Sequence, residues 1–207
     1  MNYAVIAIDN NTKRVLRARL YSAPQGGEIG VESLPNGNLT DYLYNNGEYI
    51  YSPIVSKEEL EQIKTKKLSE MSAACQQIIY NGIDLDLSDG IHHFSLTEND
   101  QTNIDGIFNA IILGASEYPY HADGEPCIMF SADDITKLYV SVKTFITKET
   151  TYNNMLRQWI KREADVTTLD AIEYGSELPS DLNTQMNTIL VSAGGQIQSI
   201  ISKLSKD

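Results

Sequence analysis

Cysteine, histidine and tryptophan are scarce in this chain: two, three and one among 207 residues. Cys75 and Cys127 lie far apart in apolar contexts, and neither belongs to a C-x-x-C pair. That excludes a disulfide framework, and both are expected to be buried free thiols. Positive charge is also short, with 16 basic against 28 acidic residues and a net charge of −12. Phosphate backbones are gripped by clustered Lys and Arg. The longest basic cluster, Lys64 to Lys67, falls on a predicted helix with acidic neighbours and reads as a solvated face, so nucleic acid is not an expected partner. No apolar run approaches the about 20 residues a membrane span needs. The first residues lack a charged segment leading into an apolar core. The expectation is a soluble protein made in the cytoplasm, without membrane contact.

Signatures of catalysis are missing too. There is no G-x-S-x-G elbow and no helical H-E-x-x-H, and Cys127 beside Pro126 lacks neighbours that would lower a thiol pKa. Acids abound, yet nothing singles out two of them as a glycosidase pair. No catalytic residue and no cofactor is expected.

What is present begins with a β unit over residues 1–54. Tyr3 to Ile8 and Arg14 to Tyr21 read as a hairpin across Asp9-Asn10-Asn11, and Glu28 to Ser33 as a further strand. Tyr42-Leu43-Tyr44 and Tyr49-Ile50-Tyr51 then face each other across Asn45-Asn46-Gly47, since Asn-Gly accepts the positive φ angles of a type I′ turn. Tyr42, Tyr44, Tyr49 and Tyr51 could offer a sugar- or protein-binding face. Cross-strand pairing within the hairpin is the favoured reading.

Residues 55–178 read as a central α+β domain. Ser56 and Glu59 form a capping box for a helix over about Lys57 to Tyr80, whose apolar residues recur at helical spacing until Asn81-Gly82. Ile83 to Leu87 alternates, Asp89-Gly90 turns, and Ile91 to Leu96 returns as a strand. Asp84, Asp86 and Asp89 fail as a calcium loop because apolar residues separate them and no closing glutamate follows. Thr97 and Asp100 cap a helix burying Ile104, Ile107, Phe108 and Ile111. After Glu117-Tyr118-Pro119, a β-turn-β element over Tyr120 to Phe130 surrounds Asp123-Gly124. Ser131 and Asp134 cap one long helix running to about Trp159, with a kink conceivable at Thr150-Thr151. Thr167 and Asp170 then start a short helix around Leu169 to Ile172.

All three histidines lie in the two polar phrases of this domain, His92-His93-Phe94 through Asp100 and Tyr120-His121-Ala122-Asp123-Gly124-Glu125. Imidazole and carboxylate are metal-ligand types, so His121, Asp123, Glu125 and His93 are candidates for a metal site. Because adjacent strand residues point to opposite faces, at most one of His92 and His93 could join it. The favoured alternative is structural: His92, His93, Phe94, Asp100, Tyr120, His121 and Asp123 build a junction where two loops meet and satisfy buried backbone groups.

Over residues 179–207, Leu182, Met186, Ile189, Ala193, Ile197, Ile200 and Leu204 recur every three or four residues. That narrow stripe suits a helix joining a bundle or oligomer, or packing on its own domain, despite the interruption at Gly194-Gly195.

The phrases GIHHFSLTENDQTNI, YPYHADGEPCIMFSADDI and TYNNMLRQWI, in this order and spacing, resemble an uncharacterised domain family of bacteriophage and prophage tail-fibre and baseplate-associated proteins. The resemblance covers about Leu60 to Ile160 and carries no established catalytic residues. It implies a structural or adaptor component of a phage tail or tail-like particle, located in the virion. It also implies other tail proteins as partners and a homo-oligomer within the assembly. A tail-fibre assembly chaperone and a host-envelope hydrolase are the alternatives.

Overall fold

The computed structural model describes residues 4–20 and 22–204, save the side chains of residues 200, 203 and 204. The strand ends expected at Tyr3 and Tyr21, and the stripe side chains of Ile200 and Leu204, lie outside the described residues. The fold is mixed α and β: five helices and nine strands among those residues, the strands in four small antiparallel sheets, with strands at the N-terminal end and a long helix at the C-terminal end. The chain divides into two compact units, residues 1–67 with 162–172, and residues 68–161 with 173–207.

In the first unit, β1 (Ala4–Ile8) is the middle strand between β2 (Val15–Leu20) and β3 (Glu28–Val31). A central strand has neighbours on both edges, and Ala4, Val5 and Ile6 are accordingly buried. Glu28 pairs with Arg19, and hydrogen bonds from Arg19 and the Gln25 amide hold its carboxyl below the usual range. The tyrosine hairpin is β4 (Tyr42–Asn45) with β5 (Glu48–Tyr51). Its turn places Asn46 at φ 49° and Gly47 at φ 93°, as a type I′ turn requires. The Arg14 guanidinium donates to the Thr40 and Ser52 carbonyls, each at 2.7 Å, fixing the chain around the hairpin. Lys67 on α1 (Lys57–Asn81) donates to the carbonyls of Asp170 and Ile172.

The short helix of this unit, α4 (Val166–Ala171), is capped by Asp165, not by Thr167. The reason is reach: the Asp165 carboxylate accepts from both the amide and the hydroxyl of Thr168 at 2.8 Å.

In the second unit the core is built by Phe94, Leu96, Ile104, Ile135, Leu138 and Val142, all essentially inaccessible. Each such side chain contributes about 1.5–3 kcal/mol by leaving water. The unit contains β6 (Ile83–Leu87) paired with β7 (Gly90–Phe94), and α2 (Glu98–Ile112). The β8 (Glu117–Tyr120) and β9 (Ile128–Ser131) pair, α3 (Ala132–Arg162) and α5 (Ser180–Leu204) complete it. The capping boxes at Thr97 and Asp100, and at Ser56 and Glu59, are both formed. Strand β8 starts at Glu117 and includes Pro119, earlier than the sequence implies. A two-stranded sheet has a free edge for a residue without an N–H. Helix α5 runs through Gly194-Gly195 unbroken.

One backbone contact fixes how α1 hands over to β6. Gly82 stands at φ 81°, and a Cβ there would lie 1.9 Å from the Phe94 carbonyl oxygen. Only glycine fits both the left-handed backbone and the approach of β7.

Candidate functional site

The two polar phrases meet on the β6–β7 hairpin. Alternation on these strands turns Ile83, Leu85, Leu87, His92 and Phe94 inward and leaves Asp84, Asp86, Ile91 and His93 outward. His92 is buried beside the rings of Phe94 and Phe130. A buried imidazole needs polar partners, and it has two: Nδ1 lies 2.8 Å from Glu125 Oε2, and Nε2 lies 2.9 Å from Asp89 Oδ1. Asp89 above all, then Glu125, raises the His92 pKa over its ordinary value, against the opposing pull of burial.

His93 faces the other way. Its Nδ1 lies 2.7 Å from Asp84 Oδ1, its cross-strand partner, and its Nε2 is 4.0 Å from Asp123 Oδ2. The Asp84 hydrogen bond is the main cause of its raised pKa.

The loop of residues 121–127 is attached at further points. The Asp123 amide donates to the His93 carbonyl at 2.9 Å, and its carboxylate accepts from the amide and hydroxyl of Ser95. Tyr120 stacks parallel to Phe94 at 6.3 Å and against His121 at 5.5 Å. Burial, then the charges of Asp100 and Asp123, push its hydroxyl up to about 12. At the hairpin's other end, Asp134 accepts from the Ser88 amide and hydroxyl as well as from Ser131, and Lys137 donates to the Asp86 carbonyl.

The metal candidates are therefore divided. His93 and Asp123 sit on one side of the hairpin, Glu125 on His92, and His121 is exposed with Nδ1 against the Ala122 carbonyl. Among the described residues no group of three or more His, Cys, Asp or Glu side chains is placed to hold a metal ion. Asp100 is occupied with the Thr97 cap.

One expectation is corrected: Cys75 is buried, but Cys127 is exposed. It lies at the end of the loop ahead of β9, where among neighbouring positions only Ala122 and Phe130 turn inward. With Asn103, Ile107, Tyr118, Tyr120 and His121 it lines an open groove of about 480 Å³ between α2 and β8.

The sequence marks Glu125 as a metal-ligand candidate and Asp89 as a turn residue but pairs neither with His92, and a second buried polar group goes unmarked altogether. Tyr174 donates to the Glu149 carboxylate at 2.9 Å, and the Cys75 thiol lies 3.6 Å from the Glu149 carbonyl. Burial pushes the Tyr174 hydroxyl and the Cys75 thiol up. Counting back from an Asp89-Gly90 turn would set Asp86 opposite His93; the structure instead turns at Ser88-Asp89 with Gly90 paired to Leu87, and that register brings Asp84 to His93.

The tyrosine face is internally engaged. Tyr42 meets Tyr49 at 6.2 Å and Tyr51 at 5.3 Å, and Tyr44 meets Tyr49 at 4.9 Å. Tyr42 and Tyr49 donate to the carbonyls of Asn36 and Ser33. On α5, Leu182 is buried, Met186, Ala193 and Ile197 are partly covered, and Ile189 is 40% exposed. No helix of the described residues is long and apolar enough to cross a membrane.

No curated protein and no solved structure matches the chain. A family does match, over residues 62–176, more than half of the chain and including both polar phrases. The chain belongs to the family defined by DUF4376, a domain of unknown function.

Proposed function

We propose that this protein is a non-enzymatic structural or adaptor component of a phage tail or phage-tail-like particle, at the baseplate or tail fibre. On this reading it is made in the bacterial host cytoplasm, retained in the virion, and works by protein–protein docking within a homo-oligomer. Support comes first from the tail-protein resemblance over about residues 60–160; the DUF4376 match, over residues 62–176, carries no function with it.

The observation that carries the reading is the use made of the central polar groups. His92, His93, Asp84, Asp89, Asp123, Glu125 and Asp134 bind one another and the backbone, bracing a hairpin and a loop. Side chains so engaged serve as a frame, and a frame suits a part that must keep its shape under load from neighbours. Outside it, Ile91, Leu113, Met129 and Val191 stand in solvent as apolar surface that a neighbour could cover. The β unit or α5 would dock to the tail while the central domain supports a fibre.

Mass spectrometry and cryo-electron microscopy of purified particles test this. The expected result is the chain at fixed stoichiometry with the tail proteins. Presence in the lysate with absence from particles would make it an assembly chaperone. Release of sugars or peptides from purified cell wall would make it an envelope hydrolase.

A further inference from the structure

We propose that His92 and His93 form a proton-dependent clamp on the loop of residues 121–127, closed in acid and loosened as the imidazoles lose their protons. Four carboxylates face these two rings. Asp84 and Asp89 come from the hairpin, and Asp123 and Glu125 from the loop.

An imidazolium donates from both nitrogens, whereas a neutral imidazole donates from one. His92 has a carboxylate oxygen within 2.9 Å of each nitrogen. After deprotonation one nitrogen lone pair must face one of those oxygens, so one contact has to open. His93 loses its attraction for Asp123 in the same step. The cluster then holds four negative charges and no positive one, divided equally between loop and hairpin, so their repulsion acts to separate the two.

The other elements around His92 do not replace the lost charge. Strands β7 and β9 bring the rings of Phe94 and Phe130 against it, and Lys137 and Asp134 on α3 are engaged with the Asp86 carbonyl and Ser88. Around His93, burial opposes the charge while the Asn81 backbone adds to the pull of Asp84 and Asp123. The Asp123 amide bond to the His93 carbonyl survives deprotonation, so release begins at the Glu125 end. That end leads into Cys127, which with His121 lines the groove beside α2. The clamp thus sets the position of one groove wall.

A nitroxide on Cys127 tests the clamp in the full-length protein, because Cys75 is buried and Cys127 exposed. In the wild type, the mobile component of the spectrum is expected to grow from minority to majority as pH rises from 5 to 9. Its midpoint should lie above the ordinary histidine value of about 6.5 and coincide with the His92 titration seen by NMR. In Glu125→Gln, whose uncharged amide can accept from the imidazolium or donate to the neutral imidazole, the growth of the mobile component with pH should be largely abolished; circular dichroism would report the retained fold. A wild-type spectrum unchanged from pH 5 to 9, one that becomes mobile in acid, or a pH response in Glu125→Gln as large as the wild type's would overturn the proposal.

Discussion

The β4–β5 and β6–β7 hairpins are two-stranded, antiparallel and similar in length, yet opposite kinds of contact hold them. The first is fastened by neutral rings meeting edge-on or tilted across the strands, Tyr42 to Tyr51 and Tyr44 to Tyr49, and by a turn whose geometry Asn46 and Gly47 supply. The second is fastened by charge. His92 and His93 reach carboxylates on the turn, on the opposite strand and on a loop more than 30 residues away in sequence. Ring contacts are short-range and indifferent to protons. Charged contacts recruit distant segments, and they make the hairpin's attachments depend on pH.

The sharpest break in this comparison comes from one substitution at a glycine in each region. Gly82→Ala puts a Cβ against the Phe94 carbonyl in a left-handed backbone, so it should cost at least about 4 kcal/mol, or prevent folding of its unit. Gly47→Ala also meets a positive φ but has open space around it, and should cost about 1 kcal/mol. Denaturant unfolding measures both, and equal costs would mean that the close approach of β7 is not what demands Gly82.

Next in size are two aspartates at helix starts. Asp134→Ala keeps its amide on the Ser131 hydroxyl but strands the Ser88 amide and removes the acceptor of the Ser88 and Ser131 hydroxyls, an expected loss of about 2–3 kcal/mol. Asp165→Ala removes a cap alone and should lose about 1 kcal/mol.

Protons separate the hairpins without mutation. Raised histidine pKa values stabilise the folded state fully below about 6.5, and that contribution is lost as pH rises through the folded-state values. Asp134 acts in the opposite sense. Burial, the largest single influence, pushes its carboxyl up, but the bonds from Ser131 and Ser88 together take it below the ordinary value. Its contribution is present above about pH 4 and lost as pH falls through the lowered value. Melting followed by Trp159 fluorescence should therefore be highest between about pH 4 and 6.5 and decline toward pH 9. Amide exchange in β4–β5, corrected for intrinsic rates, should stay flat from pH 5 to 9, because its fastening contacts are ring against ring and burial pushes the Tyr49 hydroxyl up.

Much of the fold was legible because it is written in local chemistry. Ser56 with Glu59, Thr97 with Asp100 and Ser131 with Asp134 each act over one helical turn, and Asn46-Gly47 over two residues. Legibility failed wherever the partner is distant. Glu125 was legible as a possible metal ligand but not as the hydrogen-bond partner of His92, nothing near Lys67 announces the carbonyls of Asp170 and Ile172, and apolar neighbours made Cys127 look buried. The opposite orientations of His92 and His93 follow from strand alternation alone, so the division of the site was readable while its partners were not.

The smallest expected effect tests whether the tyrosine face is fastening or docking surface. Tyr49 is half-buried, touches two other rings and donates to the Ser33 carbonyl, so Tyr49→Ala should cost about 2 kcal/mol. Tyr51 is 52% exposed, and among the described residues its ring meets that of Tyr42, edge to face. Tyr51→Ala should cost about 0.5 kcal/mol, since the Thr167 hydroxyl bonds to its backbone carbonyl and survives the change. If fastening is the whole role of this ring, Tyr51→Ala should enter tail particles as the wild type does. A variant that unfolds normally but fails to enter particles would show that Tyr51's exposed surface meets a neighbour, making this hairpin a docking surface as well as a braced one.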